Sequence, residues 1–137
     1  MEVDGTCVLC KNEEETRDHL FYGCNLSRHI WKEILQKCGY SREASSWNGE
    51  LQWAMQRLKG KSLKATILRL AWHAVIYFTL RERNARIFKG REGTKMQIME
   101  QIKEVIRIRL MGLKKVKLDF INFSLYRSWN LTQSIFD

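Results

Sequence analysis

The chain has 137 residues, 45% hydrophobic and 28% charged, with five Trp, six Phe, four Tyr and no proline. This composition excludes a disordered or low-complexity chain, and no run reaches the roughly 18 apolar residues a membrane span requires. The net charge of +9 is uneven: −3 over residues 1–50, +5 over 51–80, +8 over 81–117 and −1 over the last twenty. Such a field favours polyanions such as nucleic acid, or an acidic protein surface, without any sequence preference.

The N-terminus, MEVDGTCVLCKNEEE, is acidic and lacks an apolar core, so it reads as neither a secretory signal nor an Arg-rich transit peptide. An intracellular setting, nuclear or cytoplasmic, with reduced thiols is expected. The pattern Cys7-x2-Cys10-x8-His19-x4-Cys24 follows. A Cys-x2-Cys turn aims two thiolates at one point, and zinc takes four such ligands tetrahedrally. Thr16 is placed to cap a short helical stretch carrying His19, and Gly23 permits the bend into Cys24. Four ligands with no open position predict a structural zinc site rather than a catalytic one. Buried thiols beside a surface histidine are the first competing reading. Disulfides are the second, disfavoured by compartment and spacing. His29 is a weaker rival to His19, and Cys38 reads as a small buried hydrophobe. Because residues 1–24 hold few apolar side chains, metal coordination rather than burial is expected to order them. The helices after Cys38 are expected to have their own core.

Residues 25–38 place Leu26, Ile30, Trp31, Ile34 and Leu35 at helical spacing, with Gly39 to end the helix. Ser45-Ser46-Trp-Asn-Gly reads as a loop or cap before a short helix over 51–58, and 59–61 as a turn. Ser62 is the N-cap of the longest element, 63–89, whose middle is apolar around most of its circumference and predicts the central core helix. His73 within it reads as a satisfied core or interface group. Residues 94–113 predict another amphipathic helix, with Met99, Ile102, Ile106, Leu110 and Leu113 along one stripe, widened by Ile98 and Val105. The tail, with Phe120, Phe123, Tyr126 and Trp129, is expected to pack back on the core as one more short helix. The fold class is thus mostly α: a Cys/His zinc module over 1–24, then a bundle of about four to five helices over 25–137, in one domain spanning 1–137.

The segment CVLCKNEEETRDHLFYGCNLSRHIWKEIL resembles the zinc-binding domain at the C-terminal end of plant non-LTR (LINE-type) reverse transcriptases. The matching positions are Cys7, Cys10, Glu15, Thr16, His19, Leu20, Phe21, Cys24 and Trp31. AWHAVIYFTLRERNARIFKG is similar to that family's following helix, at Leu80, Glu82, Arg83, Asn84, Arg86, Ile87 and Phe88, and LYRSWNL to its closing motif. The resemblance runs over nearly the whole chain. The Y-x-D-D carboxylate pair of the polymerase is absent from the sequence, as is the endonuclease. The resemblance implies zinc binding and a nucleic-acid contact near the template. It leaves open a retroelement remnant serving its host and the tail of a longer chain.

The leading expectation is a non-enzymatic zinc protein that binds RNA or DNA through phosphate contacts. The candidates are Arg81, Arg83, Arg86, Lys89 and Arg91, with Lys103, Arg107, Lys114, Lys115 and Lys117 beside them and Phe88 available to stack on bases. In the competing reading, Ile87 and Phe88 close the core and the arginines form a solvated face with Glu82 and Glu92. The second expectation is an interaction module, in which Trp72, Val75, Ile76 and Phe78 exceed what the chain can cover and engage a protein partner or a second copy. An enzyme ranks third. No histidine stands with a nucleophile and a carboxylate in a familiar arrangement, and no Gly-rich phosphate loop is present, so no catalytic residue and no small-molecule substrate are assigned.

Overall fold

The computed structural model describes residues 5–137. A π-helical turn (His19–Gly23) leads into five helices: α1 (Asn25–Lys37), α2 (Trp47–Leu58), α3 (Leu63–Phe88), α4 (Lys95–Met111) and α5 (Phe120–Ser128). The mostly helical class is as expected. Among the described residues no helix is long and apolar enough to cross a membrane.

Helix α1 buries Ile30, Trp31, Ile34 and Leu35 along one stripe and ends at Cys38, where Gly39 takes a φ of +92° that a residue with a side chain would resist. Cys38 is fully buried, and desolvation pushes its thiol up to about 12.

Helix α2 starts four residues earlier than its apolar pattern suggests, so Trp47-Asn48-Gly49 forms a first helical turn rather than a loop. The cause is capping from both sides. The Gly49 N–H donates to Ser46 Oγ, and the Trp47 N–H donates to Asp18 Oδ1 at 2.6 Å. A Cβ at Gly49 would lie 2.1 Å from Ser45 Oγ and 3.1 Å from Ser45 Cβ, so a larger residue would force Ser45 to turn aside. Behind the cap, Glu50 is wholly buried and accepts from Arg42 (2.5 and 2.6 Å), from Trp31 Nε1 (2.9 Å) and from the Ser45 N–H (2.9 Å). The network ties α1 to α2.

Helix α3 is the spine. Its 26 residues rise about 39 Å. Ser62 caps it by accepting from the Ala65 N–H, and it packs against α1, α2, α4, α5 and the π-helical turn. Trp72, Val75 and Phe78 are buried within the chain and Ile76 is half-buried, while Tyr77 and Leu80 on the same helix stay exposed. His73 is not a core group: it lies exposed, because the helix still turns one face to solvent. Helix α4 opens with a capping box between Thr94 and Gln97 and buries Ile98, Met99, Ile102, Ile106 and Leu110 against α3. Val105 does not widen that stripe; it is exposed.

The tail closes the bundle less completely than expected. Leu125, Trp129, Leu131 and Ile135 are buried, while Phe120 and Phe123 remain exposed. A short parallel bridge, in which the Val116 N–H donates to Ile135 O and the Asp137 N–H to Val116 O, pins the last residues beside the α4–α5 connection.

The N-terminal segment is not ordered by coordination alone. Leu9, Leu20, Phe21 and Tyr22 are buried in the same core as α1 and α3. The π-helical turn delivers Phe21 and Tyr22 into an aromatic cluster with Trp31, Trp47 and Trp72, with ring centroids 5.3–6.4 Å apart. Burial there exceeds what the count of apolar residues suggested.

Candidate metal centre

Cys7 and Cys10 sit on a tight knuckle. The Lys11 N–H donates to Cys7 O (2.7 Å), the Cys7 N–H to Glu13 O (2.8 Å), and Lys11 takes a φ of +63° to complete the turn. His19 enters from a helical stretch capped as expected, its N–H donating to Thr16 Oγ1 at 3.0 Å. The π-helical turn then swings Cys24 back, closed by the Cys24 N–H on His19 O at 2.6 Å.

Cys7, Cys10, His19 and Cys24 converge, with all four ligand atoms within 4.8 Å of one another. A tetrahedral zinc with bonds of about 2.0–2.3 Å holds neighbouring ligand atoms about 3.5–3.8 Å apart. The Cys10 Sγ–His19 Nε2 separation of 3.2 Å and the Cys7 Sγ–Cys24 Sγ separation of 3.9 Å bracket that range. The donor set therefore fits zinc. Neither His29, which is exposed on α1, nor Cys38 belongs to the cluster.

The surroundings favour deprotonated sulfur unevenly. Burial raises the Cys10 thiol, but N–H groups of Asn12 and Glu13, then His19 and Cys7, outweigh it and bring the thiol down to about 6. At Cys24 burial dominates; the N–H groups of Leu26 and Ser27 oppose it, while repulsion from Cys7 and Cys10 adds to it, and the thiol is pushed up to about 12. Three thiolates in one pocket need a cation to hold them together. His19 presents Nε2 to the sulfurs because its Nδ1 faces Glu13 Oε2 at 3.2 Å, a carboxylate that orients the ring and makes it a better ligand. The sequence reading missed Glu13, whose only signal was an acid three residues after Cys10.

The centre is clamped to the far end of α3. Arg83 grips Glu15 with two hydrogen bonds, 2.6 and 2.9 Å. Glu15, burial notwithstanding, raises the arginine's affinity for its proton. Arg86 is 7% exposed: its Nε donates to Glu82 (2.6 Å), Nη1 to Val8 O and Leu9 O (3.3 and 3.1 Å) and Nη2 to Gly93 O (3.2 Å). The knuckle backbone is thus hydrogen-bonded to α3 and to the α3–α4 loop.

That placement corrects part of the expected phosphate-binding surface. Arg86 has its guanidinium spent inside the chain, and Arg83 is committed to Glu15. Lys103 and Arg107 are half-buried, paired with Glu100 and Glu104, and Arg107 also donates to Trp129 O. Arg81, Lys89, Arg91, Lys114, Lys115 and Lys117 are exposed, and none forms an ion pair among the described residues. They fall in two places. Arg81, Lys89 and Arg91 line a groove between the end of α3 and the start of α4. Lys114, Lys115 and Lys117 line a second cleft with Lys61 and Lys64, two residues the sequence reading did not single out. Ile87 is buried as the competing reading expected, but Phe88 is not.

Residues 1–31 match the model of a family described as zinc-binding in reverse transcriptase. The match contains all four ligands and Trp31 and ends before the later segments whose resemblance was noted above. Comparison with curated proteins and with solved structures gave no match.

Proposed function

We propose that this zinc-binding module, related to that of reverse transcriptases, is a non-catalytic unit that binds RNA or DNA through phosphate contacts. One observation carries the reading: six exposed cations, Arg81, Lys89, Arg91, Lys114, Lys115 and Lys117, have no ion-pair partner among the described residues, in a segment of net charge +8. Around Arg81, Lys89 and Arg91 the two acids lining the same groove are already used. Glu82 is taken by Arg86 and the Gly93 N–H, and Glu92 by Lys11 and Arg86. The zinc has a supporting role: through Glu15–Arg83 and the knuckle carbonyls on Arg86 it holds the end of α3 against the α3–α4 loop, fixing the cations it carries.

Titrating a labelled oligonucleotide with the zinc-loaded chain tests this. Binding is expected to weaken steeply with salt, the logarithmic slope approaching about −0.7 per phosphate contacted on a single strand. The triple variant Arg81→Glu, Lys89→Glu, Arg91→Glu should abolish binding at moderate salt while its melting temperature stays unchanged. Salt-independent association, or none, would reject the reading. A protein partner is the second reading, favoured by the exposed Leu118, Phe120 and Ile121 at the start of α5. That surface would self-associate or capture a partner without a steep salt dependence.

A further inference from the structure

We infer that the groove between the end of α3 and the start of α4 stacks unpaired bases, so that the molecule selects single-stranded over duplex nucleic acid; this rests on the nucleic-acid reading above. The groove encloses about 710 Å³. Its walls carry two exposed aromatic side chains, Phe88 at 70% and Tyr77 at 59% exposure, and three cations with no ion-pair partner among the described residues, Arg81, Lys89 and Arg91.

The exposure of Phe88 is not required by the fold. Its neighbour Ile87 takes the core position at this turn of α3, and among the described residues no other ring packs on Phe88. A large apolar side chain held in water beside unpaired cations is the arrangement by which single-strand binders take a base face and its phosphate together. Tyr77 is already ordered: it packs edge-on against Phe78 with centroids 5.0 Å apart, and the Arg81 guanidinium lies 5.9 Å from the Phe78 ring. Tyr77 is thus held in place before any base arrives.

Tyr77 and Phe88 lie eleven residues apart on one helix, about 16 Å. That is too far for adjacent bases and suits a strand of several nucleotides laid along α3. Charge complementarity selects this occupant over an apolar peptide, since the two acids lining the groove, Glu82 and Glu92, are neutralised by Arg86 and Lys11. In a duplex the base faces are already stacked, and exposing one costs unstacking energy that the groove would have to offset.

The experiment compares one short labelled RNA, single-stranded and as a duplex, by fluorescence anisotropy with the zinc-loaded chain and with Phe88→Ala and Phe88→Trp. Phe88 is exposed, so both variants should melt with the wild type. The expected result is tighter binding of the single strand, weakened at least about fivefold by Phe88→Ala, with duplex binding and the salt slope unchanged, and restored by Phe88→Trp. Equal affinity for the two forms, or a single-strand affinity indifferent to Phe88→Ala, overturns the inference and leaves phosphate binding standing. Binding of neither form overturns both. If the wild type self-associates instead and Phe88→Ala abolishes that, the groove is a protein interface and the inference falls.

Discussion

Glu13 is 70% exposed, yet its carboxylate faces His19 Nδ1 from within the knuckle that carries Cys10. Carboxylates in that relation to a metal-bound histidine usually contribute about ten- to a hundredfold in affinity. Since Glu13 is open to water, Glu13→Ala is expected at the low end, about tenfold, read by competition with a zinc-binding dye. Cys24→Ser should remove the metal altogether, seen as the loss of one zinc from the native mass. Arg86 belongs to the same residue scale with the opposite outcome. Arg86→Ala leaves the largely buried Glu82 with only the Gly93 N–H and strips the partner from the Val8 and Leu9 carbonyls. Breaking a buried pair on one side costs roughly 3 kcal/mol or more, so urea unfolding should show a large loss. A smaller loss, within about 0.5 kcal/mol, would show that Arg86 is a surface group after all. Cys38 adds a pH dependence. Its thiol is raised in the folded state, so the stability it contributes is complete below the ordinary thiol range and is lost as pH climbs toward about 12. Cys38→Ala should flatten the alkaline side of the melting-temperature profile.

The helices are held at their ends by side chains whose effects can be measured one at a time. Thr94 and Gln97 satisfy each other's backbone donors at the start of α4. Thr94→Ala is expected to cost about 1 kcal/mol and to speed amide exchange in the first turn of α4. Helix α2 combines a partly buried apolar face, Trp47, Leu51, Trp53 and Leu58, with the network around the wholly buried Glu50. Glu50→Ala would leave Trp31 Nε1, Arg42 and the Ser45 N–H without their acceptor, a loss of roughly 3–5 kcal/mol. Exchange should then spread through α2 and its capping segment first.

At the scale of the whole molecule, the zinc knuckle, the aromatic cluster and the end of α3 form one connected assembly. Tyr22 meets Trp72 on α3 directly, Phe21 is linked to it through Trp47, and Arg83 and Arg86 reach back to residues 8–15. Removing zinc with a chelator should therefore do more than unravel the N-terminal segment. Hydrogen exchange is expected to lose protection in α1, in the last turns of α3 and in the α3–α4 loop together. Loss confined to residues before 40 would mean that the two parts are energetically separate in spite of their contacts.

The amino-acid sequence by itself determined the features whose physics is local. Cys7, Cys10, His19 and Cys24 lie within 18 residues, so a turn and a capped helical stretch suffice to bring them together. Ser62, Thr94 and Gly39 mark helix ends because caps act on the backbone within one turn. The tertiary structure alone decided which charges remain free. Arg83 and Arg86 read in the sequence like Arg81 and Lys89, on one basic helix end. Their partners Glu15, Val8 and Leu9 are 68 to 78 positions away, and no periodicity encodes such a pairing. The same distance hid the aromatic cluster, where Tyr22 meets Trp72 across fifty residues of chain. It also hid the exposure of Phe88, because a helix pattern reports which face is apolar but not whether a neighbouring element arrives to cover it.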